Sequence, residues 1–401
     1  MKVVQINCTI LAGSTGRIAY DLSEVIVEKG NECAFVCGYR NKQIKSDEVI
    51  YLEKLPADVA DRKNMLISRI TGRMGYRNKR ETQKAIKWIE AQNPDVIHLH
   101  NIHGDWIHLE TLFNYLANAR IPVIWTLHDC WAFTGRCSHF EQIGCSKWKK
   151  ECFDCRNKKV YPITYLLDES KKMYADKKNW FTSVDKMVLV TPSNWLANYV
   201  KQSYLSKYEV ITIHNGVDTS AFLPHKEVQQ NIKQKEKRVI LGVCSSWSKT
   251  KGLDDFIKLD ELIDHEKYKI VMVGLKRNQI TELPKTIEGL ERTNSVEELA
   301  LLYSNAYVFF NPTYQDNFPT VNIEALSCGT PVITYDTGGS PESINEEVGI
   351  VLRQGDIQGV YNSLSKVENI CHEECRKHAI KLFDKYQRYG DYIELYEKVV
   401  K

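Results

Sequence analysis

Short apolar runs alternate with amphipathic stretches along the whole chain. Most of these runs are continuous, a pattern typical of parallel strands that are buried on both faces. Their alternation with helical patterns indicates βαβ units, and therefore an α/β protein built from doubly wound sheets. The predicted strands are Val3–Asn7, Cys33–Cys37, Val49–Leu52, Val96–His100, Val123–Leu127, Met187–Thr191, Val210–His214, Arg238–Val243, Lys269–Val273, Tyr307–Asn311, Val332–Tyr335 and Gly349–Leu352.

A chain of 401 residues has room for two such domains. The polar stretch KEVQQNIKQKEKR predicts a linker at 226–237. We therefore expect an N-terminal Rossmann-like domain over 1–225 and a C-terminal one over 238–380. The last helical pattern runs roughly over Glu373–Val399, and we expect its part at 381–401 to return to the first domain.

Composition narrows the class of protein. With 43% apolar and 26% charged residues, the chain resembles an ordinary soluble globular protein. A net charge of +3 gives no reason to expect a nucleic-acid partner. No apolar run approaches the length of a membrane span, and the first residues, MKVVQI, predict a strand rather than a signal peptide. We expect a cytoplasmic location, where the 12 cysteines stay reduced and serve as buried residues or metal ligands.

Residues 313–342, TYQDNFPTVNIEALSCGTPVITYDTGGSPE, place two carboxylates around the start of a predicted helix. The pattern predicts that helix over Thr320–Ser327. Asp316 precedes it, Pro319 suits a first helical turn, and Glu324 lies about one turn inside it. The free amides and the dipole at a helix start bind anions, and Gly338-Gly339 lets a backbone approach a ligand closely. Amides on a diphosphate and acids on sugar and ribose hydroxyls would make a sugar-nucleotide site. A surface acid, a helix acid and a turn are the alternative.

The whole segment resembles the donor-binding signature of the retaining glycosyltransferases of family 4. That family has the GT-B fold, in which two doubly wound Rossmann-like domains face a cleft. The resemblance implies that Asp316 contacts the donor sugar, although the family usually has the longer Glu there, and that Glu324 binds the ribose hydroxyls. The signature continues here with Ala325, Cys328-Gly329, Pro331 and Gly338-Gly339. Donor contacts are also expected at the helix start, from Asn317, Phe318, Pro319, Thr320 and Val321.

Two further segments resemble landmarks of that family. HNGVD, His214–Asp218, is similar to its Asn-Gly-Val-Asp, although an ordinary Asn-Gly turn has the same letters. In SSWSKTKGL, Ser245–Leu253, the family places an Arg and a Lys on the donor diphosphate. Lys251 matches the Lys, whereas Ser246 occupies the Arg position. Lys249 is the candidate for the missing charge, and a solvated loop is the alternative for both lysines.

The first half adds a glycine loop and a histidine. In LAGSTGRIAYDL, Gly13 and Gly16 resemble the family's glycine loop beside the donor diphosphate, although a tight strand-to-helix turn would explain them equally well. In WTLHDCWAF, His128 follows a predicted strand. The resemblance makes His128 a contact of the donor sugar, and an ordinary surface histidine is the alternative.

A cysteine cluster follows His128, in an insertion at about 130–160. Four thiolates ending in C-x-x-C suit a closed, tetrahedral, structural zinc site that would hold an insertion without hydrophobic periodicity. The insertion resembles one in a subset of bacterial family 4 enzymes that begins with the same His-Asp-x-Trp-x-Phe-Thr-Gly run. His139 and Cys130 are spare ligands, and free thiols or disulfides are the alternatives. The four predicted ligands are Cys137, Cys145, Cys152 and Cys155.

The segment Arg62–Lys87 is strongly basic, with nine Lys or Arg and one Glu. Apolar residues interleave with the bases, which fits an amphipathic segment on an anionic membrane surface. A solvated helix face is the alternative. The apolar residues are Met65, Leu66, Ile67, Ile70 and Met74.

The resemblance implies a retaining glycosyltransferase that moves a sugar from a nucleotide diphosphate donor to a saccharide or lipid-linked saccharide, in the biosynthesis of a surface polysaccharide. Asp316, Lys251 and His128 are the expected catalytic residues, no metal takes part in catalysis, and zinc is structural. The enzyme would be cytoplasmic and could attach to the inner face of the membrane. The alternatives are another GT-B enzyme, such as a sugar-nucleotide epimerase, and a zinc-stabilised binding protein that uses its basic stretch on nucleic acid or membrane.

Overall fold

The computed structural model describes residues 1–39, 49–51, 59–225 and 237–401. Contacts divide the chain into two compact units, Met1–Ile213 with Tyr389–Lys401, and His214–Arg388. The sequence pattern put the change of domain at 226–237, and residues 226–236 lie outside the described residues. The division falls earlier because Val217 already belongs to the second unit, where its N–H donates to Phe383 O at 2.9 Å.

The first unit is a seven-stranded parallel sheet with helices between its strands. Its strands are β1 Lys2–Asn7, β2 Glu32–Cys37, β3 Val49–Tyr51, β4 Val96–Leu99, β5 Val123–Thr126, β6 Met187–Thr191 and β7 Glu209–Thr212. Its helices are α1 Gly13–Glu28, α2 Val59–Thr71, α3 Lys79–Gln92, α4 Leu109–Asn118, α5 Ser170–Phe181 and α6 Asn194–Val200. The strand order is β3-β2-β1-β4-β5-β6-β7, which is doubly wound.

The second unit is a six-stranded parallel sheet of the same kind. Its strands are β8 Arg238–Val243, β9 Tyr268–Val273, β10 Ile287–Leu290, β11 Val308–Asn311, β12 Val332–Tyr335 and β13 Gly349–Leu352. Its helices are α7 Leu253–Asp260, α8 Arg277–Glu282, α9 Val296–Asn305, α10 Thr320–Ser327, α11 Ile357–Val367 and α12 His372–Phe383, followed by α13 Lys385–Val400, which continues into the first unit. The strand order is β10-β9-β8-β11-β12-β13.

Burial on both faces explains why the strands are continuous apolar runs. In β1, Val4 and Ile6 pack into one buried cluster, and Val3 packs into another on the opposite face of the sheet. All twelve predicted strands are present, with ends that differ by at most two residues, and Leu52, the predicted end of β3, lies outside the described residues. The pattern missed β10, IEGL, because Glu288 and Gly289 interrupt an apolar run at the edge of the sheet.

The C-terminal helical pattern, predicted as one helix over Glu373–Val399, is two helices. Asp384 has an extended backbone (ψ 134°) and separates α12 from α13. Its backbone forms a bridge with Val217, and Lys385 pairs with Asp218 at 2.8 Å. The landmark HNGVD is therefore anchored on this helix junction. Among the described residues, no helix is both long enough and apolar enough to cross a membrane.

Candidate functional site

In the second unit, the predicted donor residues follow three neighbouring strands, β8, β11 and β12. Because all three are parallel, their carboxyl ends meet at one edge of the sheet, where doubly wound proteins bind ligands. The centre of this group is an ion pair between Lys251 Nζ and Asp316 Oδ2, 2.6 Å apart. Lys251 Nζ also donates to Gln315 O at 2.9 Å and contacts Thr313 Oγ1 at 3.4 Å.

A tight turn delivers Lys251 to this position. Lys249–Lys251 is a single 3-10 turn that ends at Gly252, whose φ is +76°. A Cβ on Gly252 would lie 2.3 Å from Pro312 O, so this close contact requires glycine. Tyr314 N donates to Thr250 O at 2.9 Å and fixes the turn on the loop after β11.

The ion pair keeps Lys251 charged. Burial by itself lowers the pKa of Lys251, but the Asp316 carboxylate and its hydrogen bond outweigh that effect, and the pKa is raised. A fixed positive charge therefore lies at the start of α10. It can stabilise an anion that binds there.

A buried polar network fixes the start of α10, and sequence reasoning did not identify it. Asn322 accepts from Asn311 Nδ2 at 2.8 Å, and its own amide donates to Ser340 Oγ at 3.1 Å and Ser343 Oγ at 2.9 Å. Fully satisfied buried networks of this kind hold a loop in one geometry. The signal in the sequence was limited to two serines, Ser340 and Ser343, shortly after Gly-Gly.

The Gly338-Gly339 pair packs against the loop that carries Asp316. Gly339 N donates to Asn317 O at 3.0 Å. Gly338 has a φ of +57°, and a Cβ there would lie 1.8 Å from Asp316 O. The pair therefore supports the loop from the side of β12. This packing requires glycine whether or not the pair also contacts a ligand.

Glu324 lies inside α10, and its carboxylate is held by a residue that sequence reasoning did not find. Tyr303 OH, on the buried face of α9, donates to Glu324 Oε2 at 3.0 Å. Tyr303 is fully buried, so this bond fixes the orientation of the carboxylate. The two residues are 21 positions apart, and no local pattern links them.

The remaining predicted donor residues differ in what they can contact. Ser246 is exposed, and Lys249 has 89% of its side chain exposed, with Asp254 at 3.9 Å. The side chain of Phe318, predicted to contact the donor, is instead buried in the core against His214 and Phe383. Only the backbone of Phe318 is left to meet a ligand.

The helix over Thr320–Ser327 has the bounds that the sequence pattern predicts, and only the place of Pro319 differs. Pro319 occupies the N-cap position with extended backbone (ψ 113°), and α10 begins one residue later, at Thr320. Pro319 was expected in the first turn, but the cap position serves the same end because neither place needs its missing N–H. Thr320 and Val321 form the first turn and are half-buried.

In the first unit, the predicted residues follow β1 and β5, which flank β4 in the sheet. Gly13 begins α1 with a φ of +67°, a conformation that favours glycine. A Cβ on Gly16 would lie 2.8 Å from Thr9 Oγ1, so packing of the loop requires glycine there too. The fold thus explains both glycines, and the predicted contact with a donor would be an additional role.

His128 lies two residues after β5, at the carboxyl end of the first sheet, and is half-buried. Its Nε2 is 3.1 Å from Nδ1 of His100, a residue that the sequence had not singled out. Burial lowers the pKa of His128 to about 4, against the opposing effect of Asp129. His128 is therefore neutral at physiological pH and can form hydrogen bonds without carrying charge.

The structure does not assemble the predicted zinc site. Among the described residues, no group of three or more His, Cys, Asp and Glu side chains could hold a metal ion. Cys137 Sγ and Cys155 Sγ are 3.9 Å apart, whereas Cys152 Sγ accepts from Gly135 N at 3.1 Å. Cys145 packs at the edge of the hydrophobic core. Of the spare ligands, Cys130 is buried in that core and His139 joins no such group.

The insertion has an apolar core, although its sequence lacks hydrophobic periodicity. Trp131, Phe133, Phe140 and Trp148 are buried and pack into the core of the first unit. Lys177 of α5 is fully buried, donates to Trp131 O and to Thr134 O (2.9 Å), and lies 3.7 Å from the centroid of the Trp131 ring. Burial lowers the pKa of Lys177 to about 7. Aromatic packing and this lysine therefore help to hold the segment in place.

The predicted basic segment Arg62–Lys87 spans parts of two helices. It comprises the end of α2, a loop with positive φ at Gly72, Gly75 and Asn78, and the start of α3. Arg73 pairs with Glu169 at 3.1 Å. The side chains of 62–64 lie outside the described residues.

An exposed apolar loop at 160–167, which sequence reasoning missed, lies beside α2. Tyr165 N donates to Arg69 O at 2.7 Å, and Leu167 N donates to Ile70 O at 3.0 Å. Met65 and Leu66 of α2 are also exposed, so the apolar surface continues from the loop onto the helix. The exposed apolar residues of the loop are Val160, Tyr161, Ile163, Tyr165, Leu166 and Leu167.

Comparisons with known proteins agree with this arrangement. Residues 15–221 match the model of Glycosyltransferase Family 4, and residues 225–381 match that of Glycosyl transferases group 1. WcaC of Escherichia coli (strain K12), whose name assigns it to colanic acid biosynthesis as a glycosyl transferase, is 24% identical over 370 residues, or 89% of this chain and 88% of that protein.

A second relative is the capsular polysaccharide biosynthesis glycosyltransferase CapM of Staphylococcus aureus. It is 23% identical over 212 residues, which is 48% of this chain and 54% of CapM. Among solved structures, Anabaena Alr3699/HepE in complex with UDP aligns with a TM-score of 0.67 at 15% identity, over 99% of this chain and 100% of that chain. At that identity the likeness shows the fold alone, which is the GT-B fold.

Proposed function

The chain belongs to Glycosyltransferase Family 4 and is a glycosyltransferase, and from this premise we propose that it transfers a sugar from a nucleoside diphosphate to a hydroxyl of a saccharide, with retention at the anomeric carbon. One observation carries the proposal: Lys251 and Asp316 form a 2.6 Å ion pair at the start of α10. The pair puts a cation for a diphosphate and a carboxylate for a sugar side by side.

The donor roles follow from the chemistry of each group. Lys251 and the N-terminal amides of α10 hold the diphosphate, and Asp316 positions the sugar. The contact from Lys251 to Thr313 is its longest, at 3.4 Å, and is the one that a phosphate oxygen displaces most easily. Glu324, held by Tyr303, accepts hydrogen bonds from the ribose. His128 contacts a hydroxyl of the donor sugar.

In the chemical step, the acceptor oxygen bonds to the anomeric carbon while the bond from that carbon to the phosphate oxygen breaks. The acceptor proton passes to the departing phosphate on the same face, and nucleoside diphosphate leaves. Negative charge grows on the diphosphate, and Lys251 with the start of α10 stabilises it electrostatically. The step uses no nucleophilic side chain and assigns no role to a metal.

The biological setting follows from the relatives. WcaC and CapM are named for colanic acid and capsular polysaccharide biosynthesis, which supports assembly of a surface polysaccharide for this enzyme. The UDP complex of the structural neighbour supports a nucleoside diphosphate sugar as the donor. Such donors are cytoplasmic, so we place the enzyme in the cytoplasm.

We further propose that the apolar loop 160–167 and α2 dock on the anionic inner face of the cell membrane, where a lipid-linked saccharide acceptor would lie. Exposed apolar side chains beside basic ones suit the boundary between headgroups and acyl chains. Near such a surface each Lys or Arg contributes about 1 kcal/mol, an attraction that salt screens. Leu166, 69% exposed, is the most exposed apolar residue of the loop.

The activity is tested with the purified full chain and a panel of uridine, guanosine and adenosine diphosphate sugars. Binding stabilises the folded state by mass action, by about 2.7 kcal/mol at one hundred times the Kd, so the right donor raises the melting temperature. That donor should then glycosylate a saccharide acceptor with retained configuration in the NMR spectrum. A donor that is epimerised without any acceptor, or a panel in which none binds, would overturn the proposal.

Docking is tested by sedimentation with vesicles. The variant Leu166→Gln/Leu167→Gln should lose binding to anionic vesicles, and wild-type binding should weaken with salt. The matched control is Leu262→Gln/Leu301→Gln, two exposed leucines of the second unit. Equal binding by wild type and the loop variant would remove the loop from the membrane. Self-association in the absence of vesicles, lost only in the loop variant, would instead assign the surface to a second copy of the chain.

A further inference from the structure

Gln5, His100 and His128 form a chain of hydrogen bonds at the carboxyl end of the first sheet. His100 Nε2 lies 2.8 Å from Gln5 Oε1, and His100 Nδ1 lies 3.1 Å from His128 Nε2. The planes of the two imidazoles differ by 20°, which suits a hydrogen bond in the plane of both rings. Gln5 and His100 are buried, so water does not compete for these bonds.

The direction of each bond follows from the donors and acceptors available. Gln5 Nε2 donates to Ala19 O at 3.1 Å, and a carbonyl only accepts, so the amide oxygen of Gln5 faces His100. That oxygen also only accepts, which puts the proton of His100 on Nε2 and leaves its Nδ1 bare. The proton between the two histidines must then belong to His128 Nε2.

Each ring carries a single proton because burial keeps it neutral. Burial is the largest cause that lowers the pKa of His128 to about 4 and the pKa of His100 well below its usual value. The neighbouring His98, whose ring is tilted by 35° to that of His100 with centroids 4.1 Å apart, has its pKa lowered to about 3 by burial. A neutral His128 with its proton on Nε2 has a lone pair on Nδ1.

We propose that Gln5 and His100 are positioning residues that hold His128 in the tautomer whose Nδ1 accepts a hydrogen bond from a hydroxyl of the sugar substrate. Among the described residues, no hydrogen-bond partner contacts this Nδ1. The inference rests on the proposed donor site only for the identity of the ligand. The tautomer of His128 also sets specificity, because an accepting Nδ1 favours a substrate hydroxyl and disfavours a carboxylate or phosphate at the contacted position.

The tautomer is read directly by long-range ¹H–¹⁵N NMR of the full chain with ¹⁵N-labelled histidine. The spectrum of His128→Gln identifies the His128 signals by their loss. In the wild type, Nε2 of His128 should be protonated and Nδ1 should not. A proton on Nδ1 of His128 in the wild type overturns the inference, whatever the activity of the enzyme.

Gln5→Glu tests the relay. A carboxylate beside His100 favours a second proton on that ring, at Nδ1, so His128 must accept at Nε2 and move its own proton to Nδ1. If Gln5→Glu does not fold, Gln5→Met replaces it. Gln5→Met removes the acceptor without adding charge, so His128 should populate both tautomers. Thr126→Val is the control, because Thr126 Oγ1 forms a 2.8 Å hydrogen bond with His98 and is not part of the hydrogen-bonded series Gln5–His100–His128. It should leave His128 unchanged.

Calorimetry with the donor found in the panel supplies the functional readout. Loss of one neutral hydrogen bond weakens binding by roughly 3- to 10-fold, so the Gln5 variants should bind the donor that much more weakly than wild type or Thr126→Val. Gln5 variants that keep the wild-type tautomer overturn the relay. If no donor binds the wild type, the proposed function fails, and the NMR result on the relay still stands or falls by itself.

Discussion

Replacing Lys251 with Ala separates the role of this lysine in catalysis from its role in stability. The side chain is 32% exposed, and it loses contacts with Asp316, Gln315 O and Thr313 Oγ1. A hydrogen bond to a charged group contributes ~1.5–3 kcal/mol, and partial exposure reduces that value, so we expect a loss of about 1–2 kcal/mol in the free energy of unfolding. Typical domains have 5–15 kcal/mol, and the variant therefore stays folded.

The effect on the reaction should be larger than the effect on the fold. Removing one group that stabilises developing negative charge costs about 2.7–4 kcal/mol in the transition state, or a factor on the order of 10²–10³ in kcat. Because this charge grows during the step, kcat should fall more than the donor KM rises. Unfolding cannot produce such a loss in a protein that keeps most of its stability.

Steady-state kinetics on the identified donor, with urea unfolding of the same preparations, provide the measurement. Lys249→Ala is the matched comparison, and it also tests the alternative in which Lys249 supplies the missing charge on the diphosphate. This lysine lies in the same turn, but its side chain is 89% exposed and its nearest carboxylate, Asp254, is 3.9 Å away. Lys249→Ala should change the free energy of unfolding by at most ~0.5 kcal/mol and kcat very little. A Lys251→Ala enzyme with kcat within tenfold of wild type, or a Lys249→Ala enzyme with an equal loss, would refute the assignment.

Three further results are expected. Glu324→Gln should weaken donor binding in calorimetry by about 1.5–3 kcal/mol, and Tyr303→Phe by less, because only the orientation of the carboxylate is then lost; unchanged affinity in Glu324→Gln would remove it from the site. Gly338→Ala should destabilise the fold in urea, since its Cβ would lie 1.8 Å from Asp316 O at a φ of +57°, and wild-type stability would contradict that geometry. Burial depresses the pKa of His98 to about 3 in the folded state, whereas the pKa in the unfolded state is about 6.5. Because the unfolded chain therefore binds the extra proton first, the free energy of unfolding is highest above pH 6.5 and falls by up to about 1.4 kcal/mol per pH unit as the pH decreases toward 3. In His98→Gln, the pH dependence of unfolding between pH 7 and 5 should be correspondingly flatter, and an unchanged slope would mean that another group titrates.

The sequence alone determined the two doubly wound sheets. Strands that are buried on both faces must be apolar throughout, and helices must connect parallel neighbours. The alternation of apolar runs with helical patterns therefore predicts the fold class. It also marked the donor segment, because strand, loop, Asp316, helix start and Glu324 follow one another within a short stretch. The edge strand Ile287–Leu290 escaped because one exposed face and a glycine remove the continuous apolar run.

Tertiary structure alone decided which polar groups meet. Tyr303 reaches Glu324 from another helix, and Lys177 reaches Trp131 across 46 positions, so no local spacing encodes either contact. The cysteines of the insertion show the reverse case. Their spacing predicted zinc, but buried aromatic side chains already hold the segment, and the described residues bring no third ligand to Cys137 and Cys155. Spacing states which side chains are close along the chain, whereas packing decides which are close in space.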